Sequence, residues 1–339
     1  MQQRHMGDSD LAVSAIGFGC WELGGTYGAF DERETTAAIH RAIDLGVNLF
    51  DTARFYGFTT LAGESDPASP THAGQSEELL GRALGARRRE ILLVTKGGLP
   101  TRAGQLRARD SRYQSIIDDC EASLRALGTD YIDLYLIHWP DPATPLAETM
   151  GALTDLVVAG KVRHIGVSNF NAAQLRESRA LAPIVANQVG YNLFDRRWER
   201  EMFATAAELG IGIMAYGPLA HGLLTGTFTP EMAFDARDWR SHGVIFGQAL
   251  FQGDNFRQNL AVVERLQALA ARKGVGLPRL ALAWVLGQPQ VVVALTGARN
   301  QREIEDNVAA IDLVLSPDER AAIDAIMADA AGQVDAVPA

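Results

Sequence analysis

Eight short apolar runs, separated by amphipathic segments, are the feature of this sequence that most constrains its fold. Within each run the apolar residues follow one another without the alternation of a half-exposed strand, which indicates strands buried on both faces. Helices between such strands connect them in parallel, because a parallel pair needs a long crossover. The predicted strands begin at Ala15, Asn48, Ile91, Ile132, Val162, Ile184, Ile211 and Val291.

The amphipathic segments carry helix signals at their ends. A side chain that can cap the first turn precedes the clearest helices, and a glycine that tolerates a left-handed backbone follows most of them. Alternation of eight strands with about eight helices predicts an α/β fold, a (β/α)8 TIM barrel with an extra C-terminal helix, and an open doubly wound sheet is the alternative. The expected helices open at Asp31, Ser111, Asp195 and Ser316, and the first three end at Gly46, Gly128 and Gly210.

Two long segments make this chain larger than a minimal barrel. Residues 58–73 are an insertion after the second strand, and residues 219–255 form a long loop after the seventh. Both follow the carboxyl ends of strands, where barrel enzymes build their sites, so we expect them to act as lids or specificity loops. We therefore expect a single barrel domain over residues 1–339, with a loose tail over residues 330–339.

The composition narrows the classes of function. The chain carries 31 Lys and Arg against 41 Asp and Glu, a net charge of −10, so no nucleic-acid partner is expected. Its two cysteines, Cys20 and Cys120, are too few for a disulfide framework and are expected to be reduced. No apolar leader and no run of about 18 apolar residues occurs, which predicts a cytoplasmic protein without a membrane partner.

Polar residues interrupt the apolar runs where the strands end. Taken singly, each has an ordinary structural role as a turn residue, a solvated side chain or a satisfied core residue. Because the strands are predicted to be parallel, however, all of these side chains should reach one mouth of the barrel. The positions are Asp51, Lys96, His138, Ser168, Asn169, Gln188, Tyr216 and Gly297.

An acid/base set emerges when Tyr56, on the loop after Asp51, is added to these positions. A tyrosine has a reference pKa of about 10, and a neighbouring ammonium such as Lys96 is expected to lower it. Asp51 would hold the lysine, and His138 would orient a substrate oxygen. Such a set suits protonation of a carbonyl oxygen. With no ready nucleophile and no three-ligand cluster in the sequence, covalent or zinc hydrolysis is disfavoured and no metal is expected.

Several multi-residue motifs stand in a compatible order and spacing along the chain. They are DTARFYG at 51–57, QSEELLG at 75–81 and GKVRHIGVSNF at 160–170, with further matches at 134–140, 187–188, 216–226 and 297–307. Together they resemble the signatures of the aldo-keto reductase family over nearly the whole chain. The isolated Gly17-Phe18-Gly19 is a far weaker signal, because position 22 is Glu where a dinucleotide fingerprint needs its third glycine.

This resemblance implies a nicotinamide-dependent oxidoreductase in which Asp51, Tyr56, Lys96 and His138 form the catalytic tetrad and Tyr56 is the general acid. It implies a substrate pocket formed by Trp21, Tyr56, His138 and Trp139. It also implies a cofactor site across the mouth, with the nicotinamide ring on Tyr216. The implied cofactor-binding residues are Cys20, Trp21, Asp51, Ser168, Asn169, Gln188, Tyr216, Gly217, Pro218, Leu219, Gly222, Leu224, Gly297, Arg299, Glu303, Asp306 and Asn307.

The choice between NADP(H) and NAD(H) depends on the adenosine end of that site. Arg299 falls where the family often contacts a 2′-phosphate, which favours NADP(H). Glu303 stands where relatives usually carry glutamine, and Asp306 replaces the expected glutamate before Asn307. A carboxylate at position 303 would repel a phosphate or accept from a bare ribose hydroxyl, so NAD(H) stays possible.

The insertion is a second departure from the family. Tyr56 and Ser76 are separated by an extra loop that should overhang the mouth and narrow substrate choice or contact another subunit. Its punctuating residues are Gly63, Glu64, Asp66, Pro67, Pro70 and His72. Arginines after the third strand would attract an anionic substrate, although a solvated loop is the simpler interpretation; they are Arg102, Arg107, Arg109 and Arg112.

The leading hypothesis is an NADP(H)-dependent reductase of a small aldehyde or ketone. An NAD-dependent dehydrogenase that oxidises a sugar or hydroxymethyl compound, with Tyr56 as base, is the nearest alternative. A nucleotide-sensing regulatory subunit, similar to the channel-associated proteins of the family, belongs to another class. Failure to bind a nicotinamide nucleotide would instead favour a lyase or isomerase, because a barrel does not fix chemistry.

Overall fold

The fold is a closed barrel of eight parallel strands. The computed structural model describes residues 1–25, 27, 30–57, 72–99, 109–235 and 238–337. Each of the eight predicted apolar runs forms one barrel strand, and closure of the sheet confirms the (β/α)8 barrel and excludes the open doubly wound alternative. In chain order the strands are β1 (Gln3–His5), β2 (Ala12–Ser14), β3 (Ile16–Gly19), β4 (Leu49–Asp51), β5 (Leu92–Gly97), β6 (Ile132–Ile137), β7 (Val162–Ser168), β8 (Ala186–Gly190), β9 (Gly212–Tyr216) and β10 (Val291–Thr296), of which β3–β10 close the barrel with β10 beside β3.

Helices surround the barrel and bury its outer face. The described helices are α1 (Glu32–Asp44), α2 (Gln75–Leu84), α3 (Tyr113–Leu127), α4 (Leu146–Val158), α5 (Ala172–Leu181), α6 (Met202–Glu208), α7 (Gly253–Arg272), α8 (Leu277–Leu286), α9 (Gln301–Val308) and α10 (Pro317–Met327). The last of these is the expected extra C-terminal helix. In the part of the chain that the structure describes, none of the helices is long and apolar enough to cross a membrane.

Two of the predicted helix starts are confirmed at the level of hydrogen bonds. The Asp31 carboxylate accepts from the backbone N–H groups of Arg33 and Glu34 at the start of α1. At α10, Ser316 accepts from the backbone of Glu319, and the Glu319 side chain accepts from the backbone of Ser316. Each end therefore satisfies backbone donors that the first turn leaves without helical partners.

Two other helix starts were predicted wrongly. Ser111 does not cap α3: Arg112 precedes its first residue, and the backbone N–H of Ser111 donates to Asp141 instead. Asp195 does not open a helix either, because its carboxylate forms a buried ion pair with Arg197 and α6 begins only at Met202. In the second case a local charged partner competes successfully for the side chain that would have capped the backbone.

An N-terminal hairpin, which the sequence did not predict, closes the amino end of the barrel. β1 and β2 pair antiparallel, and Met6, Leu11 and Val13 are buried among side chains from the barrel interior. Arg4 fixes the hairpin by donating to the carbonyl oxygen of Val291 at 2.7 Å. Strands of three residues are too short for their period of two to be recognised. With this end filled, the carboxyl end is left for a site.

The C-terminal segment is attached to the body of the protein, which corrects the expectation of a loose tail. Ala331 donates its backbone N–H to Asn259 on α7, and Ala249 donates to the carbonyl oxygen of Gly332 at 2.9 Å. Arg197 donates to the carbonyl oxygen of Ala336. Since α7 follows the long loop after β9, the tail supports the base of that loop. Residues 338 and 339 lie outside the described part of the chain.

Candidate active site

The carboxyl end of the barrel collects the polar residues that interrupt the apolar runs. Asp51 ends β4, Ser168 ends β7 and Tyr216 ends β9. Lys96 lies near the end of β5, and His138 directly follows β6. The common direction of the eight strands therefore brings these side chains to one mouth.

Lys96 is the centre of the site. It is fully buried, and its Nζ donates to Asp51 Oδ2 at 2.8 Å, to the carbonyl oxygen of Thr52 at 2.7 Å and to the hydroxyl of Tyr56 at 3.2 Å. An ammonium has three protons, and these three acceptors use all of them. The lysine is thus held in one position, between a carboxylate and a phenol.

Asp51 is held from both sides. Its second oxygen, Oδ1, accepts from Nε2 of Gln188 at 2.7 Å. Burial raises the pKa of Asp51, and the Lys96 ammonium opposes that rise; burial likewise lowers the pKa of Lys96, and Asp51 opposes it. The two residues form a buried ion pair in which each partner stabilises the charged form of the other.

The pKa of Tyr56 departs from the expected direction. Burial, and then the Asp51 carboxylate, raise it well above its ordinary value. Desolvation of the phenolate is the largest cause of this rise, so the pKa of Tyr56 is not lowered as expected. Tyr56 is therefore a protonated phenol whose hydroxyl accepts a hydrogen bond from Lys96.

His138 stands beside this phenol as a neutral imidazole. Its ring meets the ring of Tyr56 edge to face, with centroids 5.8 Å apart. Burial, reinforced by the Lys96 charge, lowers the pKa of His138 well below its ordinary value. Among the described residues its Nδ1 has no hydrogen-bond partner. A neutral ring with a buried unused nitrogen is suited to a polar atom of a ligand.

A chain of amides and hydroxyls continues around the mouth from Gln188. Ser168 donates through Oγ to the carbonyl oxygen of Gln188 at 2.8 Å, and Asn169 donates to Ser168 Oγ at 3.1 Å. The Tyr216 hydroxyl donates to Asn169 Oδ1 at 3.0 Å. The expected carboxamide-binding residues are thus assembled together, with the partly exposed Tyr216 ring beside them.

Aromatic rings form the walls of the mouth. Trp21 stacks on Tyr56 with centroids 5.9 Å apart, and Trp139 packs against Phe246 at 5.9 Å. Phe246 also meets Tyr216 at 5.7 Å. The two tryptophans were expected here, whereas Phe246 was not. The aromatic residues that sequence reasoning missed are Tyr27, His221, Trp239 and Phe246, all within ring contact of Trp21.

Three of the missed residues come from the long loop after β9. That loop contains two short 3-10 helices, Ala220–Thr225 and Trp239–His242. It reaches back across the mouth, where Trp239 stacks on Trp21 with centroids 5.2 Å apart. Its long span was the only signal in the sequence, because nothing local identifies which of its rings turn inward.

The first part of this loop fits a phosphate-containing cofactor. Gly217, Ala220, His221 and Gly222 all have positive φ, between 48° and 99°. Glycine adopts such a backbone conformation without a Cβ clash, so a ligand can approach the backbone closely at Gly217 and Gly222. The N–H groups of Ala220 and Gly222 donate within the loop, to the carbonyl oxygens of Gly217 and Leu219. Ala220 and His221 are strained in this conformation because their Cβ atoms crowd the backbone, and such strain is found at ligand sites. The expected Pro218, Leu219 and Leu224 belong to the same segment.

Arg299 and Glu303 lie at the far end of the mouth, at the start of α9. The Arg299 guanidinium donates to the carbonyl oxygen of Tyr27 at 2.9 Å and contacts Glu22 at 3.4 Å. The Glu303 carboxylate accepts from the backbone of Arg299 at 2.7 Å and from the side chain of Asn300 at 3.0 Å. Glu303 is therefore engaged in the local turn, while Arg299 is 40% exposed.

Three further residues were predicted to bind the cofactor, and each has a different environment. Asn307 donates to the carbonyl oxygen of Gly297 at 3.2 Å and supports the loop at the end of β10. Asp306, expected at the cofactor, instead pairs with Arg279 on α8 at 2.5 Å. Cys20 is fully buried behind Trp21, and burial raises the pKa of its thiol well above the ordinary value.

Part of the predicted surroundings lies outside the described residues. This applies to Gly63, Glu64, Asp66, Pro67 and Pro70 of the insertion, and to Arg102 and Arg107. His72, at the end of the insertion, lies 3.1 Å from Glu78 on α2. Arg109 lies over the ring of Trp139 at 5.3 Å, and Arg112 pairs with Asp110. Within the described ranges no group of three or more His, Cys, Asp or Glu is arranged to hold a metal.

Comparison with known proteins identifies the family of this chain. The model of the Aldo/keto reductase family matches residues 15–328, so the chain belongs to that family of oxidoreductases, whose members use nicotinamide cofactors. It is 39% identical over 309 residues to Aldo-keto reductase YhdN of Bacillus subtilis, covering 90% of this chain and 87% of the relative. It is 34% identical to the NADH-specific methylglyoxal reductase of Escherichia coli, covering 93% and 95%.

A solved structure shows the same architecture. The glycerol dehydrogenase AKR11B4 from Gluconobacter oxydans superposes with a TM-score of 0.82 at 33% identity. The match covers 98% of this chain and 96% of that one. At this identity and coverage, the two chains share their fold over nearly their whole length.

Proposed function

We propose that this protein is a reductase that transfers a hydride from NADPH to a small aldehyde or ketone, with Tyr56 as the general acid. The observation that carries the proposal is the position of Lys96 Nζ, within hydrogen-bond distance of both the Asp51 carboxylate and the Tyr56 hydroxyl. This arrangement leaves a protonated phenol whose conjugate base would form beside a fixed ammonium. It lies at the mouth where a ligand would enter.

The cofactor, when bound, supplies a hydride to the carbonyl carbon. As the oxygen gains negative charge, Tyr56 donates its hydroxyl proton to it and becomes a phenolate. Lys96, which already donates to that hydroxyl, stabilises the phenolate, and Asp51 keeps the lysine charged and in place. His138, neutral and 5.8 Å from the Tyr56 ring, orients the carbonyl oxygen toward the phenol.

The residues that would hold the cofactor follow from the same geometry. The amides of Asn169 and Gln188 and the hydroxyl of Ser168 are assembled where a carboxamide would bind, and Tyr216 offers the face of its ring. The left-handed stretch that begins at Gly217 would accept the pyrophosphate. A substrate would then be confined between aromatic walls that exclude water.

The proposed preference for NADP(H) rests on the two residues at the start of α9. Because Glu303 accepts hydrogen bonds from Arg299 and Asn300 in this turn, its charge is partly compensated there. The Arg299 guanidinium, which is 40% exposed and contacts Glu22 at 3.4 Å, would pair with a 2′-phosphate. The second candidate is an NAD(H)-linked enzyme. It is favoured by the name of the Escherichia coli relative and by the dehydrogenase name of the structural neighbour, and in the oxidative direction Tyr56 would act as base.

Fluorescence and thermal-shift titrations with NADPH and NADH, side by side, distinguish these candidates. NADPH should bind more tightly than NADH, and Arg299→Ala should weaken NADPH roughly tenfold, the value of one lost charge-assisted contact, with little change for NADH. Arg302→Ala, which removes an exposed arginine three residues further along, in the first turn of α9, is the matched control. Tighter NADH binding that ignores Arg299 would establish the second candidate. Absence of binding by either nucleotide would remove both.

A further inference from the structure

A buried carboxylate outside the mouth contacts both segments that carry the catalytic side chains. Glu77 on α2 is fully buried, and its Oε1 accepts from the hydroxyl of Thr95 at 2.7 Å. Thr95 directly precedes Lys96 on β5. Because side chains alternate along a strand, Thr95 points outward to α2 while Lys96 points toward the mouth. Glu77 therefore reaches the strand of Lys96 from behind.

The other oxygen of Glu77 faces the loop that carries Tyr56. Its Oε2 lies 3.6 Å from a guanidinium nitrogen of Arg54, two residues before Tyr56. The backbone N–H of Arg54 in turn donates to the carbonyl oxygen of Lys96 at 3.3 Å. The Glu77 carboxylate thus contacts both the loop after β4 and the strand β5. On the other side of the strand, facing the mouth, the Tyr56 and Lys96 side chains of these two segments meet.

The chain makes room for this contact at Gly74, before the first turn of α2. A Cβ atom built on Gly74 would lie 1.8 Å from Arg54 NH1 and 3.3 Å from Glu77 Oε2, and its φ is +83°. Only glycine allows the guanidinium to lie across the start of the helix. The start of α2 is therefore shaped around the Arg54–Glu77 pair.

Stability alone does not account for a charged pair in this place. Burial raises the pKa of Glu77, with Thr95, Ser123 and Arg54 opposing the rise. Replacing a buried ion pair with well-packed apolar residues is often neutral or stabilising, so α2 would be held on the barrel at least as well by leucine or methionine. An apolar contact lacks the fixed direction of the hydrogen bond from Thr95 and the charge attraction toward Arg54.

We propose that Glu77 is a positioning residue, whose carboxylate holds Thr95 and Arg54 so that Lys96 stays in contact with the Tyr56 hydroxyl. This inference rests on the proposed function. Glu77 touches neither substrate nor cofactor, and it acts through the 3.2 Å contact between Lys96 Nζ and the Tyr56 oxygen. Displacements of about 1 Å from distant changes can lower turnover by up to about a hundredfold.

Glu77→Gln is the direct test, because glutamine keeps the size of the side chain and removes its charge toward Arg54. We expect kcat for carbonyl reduction to fall roughly tenfold, with cofactor Kd and substrate KM unchanged. The basic limb of the kcat–pH profile should also shift to higher pH, because a weaker contact with Lys96 stabilises the Tyr56 phenolate less. Glu78→Gln on the same helix, whose partner is His72 at the surface, is the control and should behave as wild type.

Two further variants keep the proposal testable if Glu77→Gln folds poorly. Thr95→Val removes the hydrogen bond from Thr95 to Glu77 with little change of side-chain volume. It should shift the basic limb of the kcat–pH profile in the same direction as Glu77→Gln. Arg54→Gln combined with Glu77→Gln should be no worse than the more damaged single variant, because both act through one link. Lower melting temperatures with kcat and the pH limb equal to Glu78→Gln would overturn the inference. Failure of the wild type to reduce any carbonyl would instead remove the proposed function and this inference with it.

Discussion

Two buried aspartates, at opposite ends of the barrel, use similar partners for different purposes. Asp133 lies near the start of β6 and is 1% exposed; it accepts from Arg88 and from the backbone of Leu93, each at 2.9 Å, and from Arg163 at 2.9 Å. Asp51 ends β4 and is 3% exposed, with Lys96 and Gln188 as its donors.

The difference lies in where each network ends. The side chain of Arg163 is 55% exposed, so the network of Asp133 ends at the solvent-exposed surface. Lys96 is fully buried, and its network ends on the Tyr56 hydroxyl at the mouth. A buried acid is therefore not by itself a sign of catalysis. The informative feature is a network that ends on a group able to pass a proton to a ligand.

The largest effect is expected at the catalytic end. Tyr56→Phe removes the proton donor and leaves the ring, so kcat for carbonyl reduction should fall about a thousandfold, within the range of a lost general acid. Cofactor binding and melting temperature should stay at wild-type values. Tyr131→Phe is the matched control, because Tyr131 lies between the guanidinium groups of Arg88 and Arg163 at the other end. A comparable loss of kcat in Tyr131→Phe would contradict the conclusion that only the carboxyl end of the barrel takes part in the reaction.

Lys96→Met should lower kcat by a comparable factor of at least about a hundred and make stability depend on pH. Burial already raises the pKa of Asp51, and removing Lys96 removes the group that opposes that rise. A carboxyl whose folded-state pKa is raised contributes stability below its unfolded value of about 4, and loses it as pH rises through the folded value. The melting temperature of the variant should therefore fall relative to wild type as pH rises above about 4. A difference between the two proteins that does not change with pH would contradict the assignment of Asp51.

Asp133→Asn should show the reverse pattern, with a loss of stability and little loss of activity. Two arginines lose their buried anion, and we expect the free energy of unfolding to fall by about 3 kcal/mol, as for one partner removed from a buried pair. Denaturant unfolding measures this change, and kcat per folded molecule should equal that of wild type. A reduced kcat in a fully folded variant would show that the amino end of the barrel also controls the chemistry.

Sequence reasoning predicted the barrel and the meeting of Asp51, Tyr56, Lys96 and His138 at its mouth, because both depend on local patterns. The apolar runs mark the eight strands, and each strand end carries its functional residue within one or two positions, as with Asp51 and Lys96. Only part of the mouth was predicted, since Trp239 and Phe246 contact Trp21 from a loop more than two hundred residues further along the chain. No local pattern encodes such a contact, which depends on how the loop packs.

The electrostatics were the least predictable part. The Lys96–Tyr56 contact was anticipated, but the pKa of Tyr56 moves in the opposite direction from the expected one because burial dominates. The depth to which a side chain is buried depends on the whole fold and cannot be predicted from neighbouring residues in the sequence. Nor does the sequence show the ion pair between Asp306 and Arg279 on α8, because the two residues are far apart along the chain.

Transfer of deuterium is the measurement that tests the central claim most directly. The reduced cofactor, with deuterium in place of both hydrogens of its reactive carbon, is mixed with the protein and a panel of small aldehydes and ketones, and the alcohols formed are analysed by NMR. The proposed mechanism predicts an alcohol that carries the label on the former carbonyl carbon with wild type, and about a thousandfold less of it with Tyr56→Phe. Unlabelled alcohol, or equal yields from the two proteins, would contradict direct hydride transfer with Tyr56 as the acid.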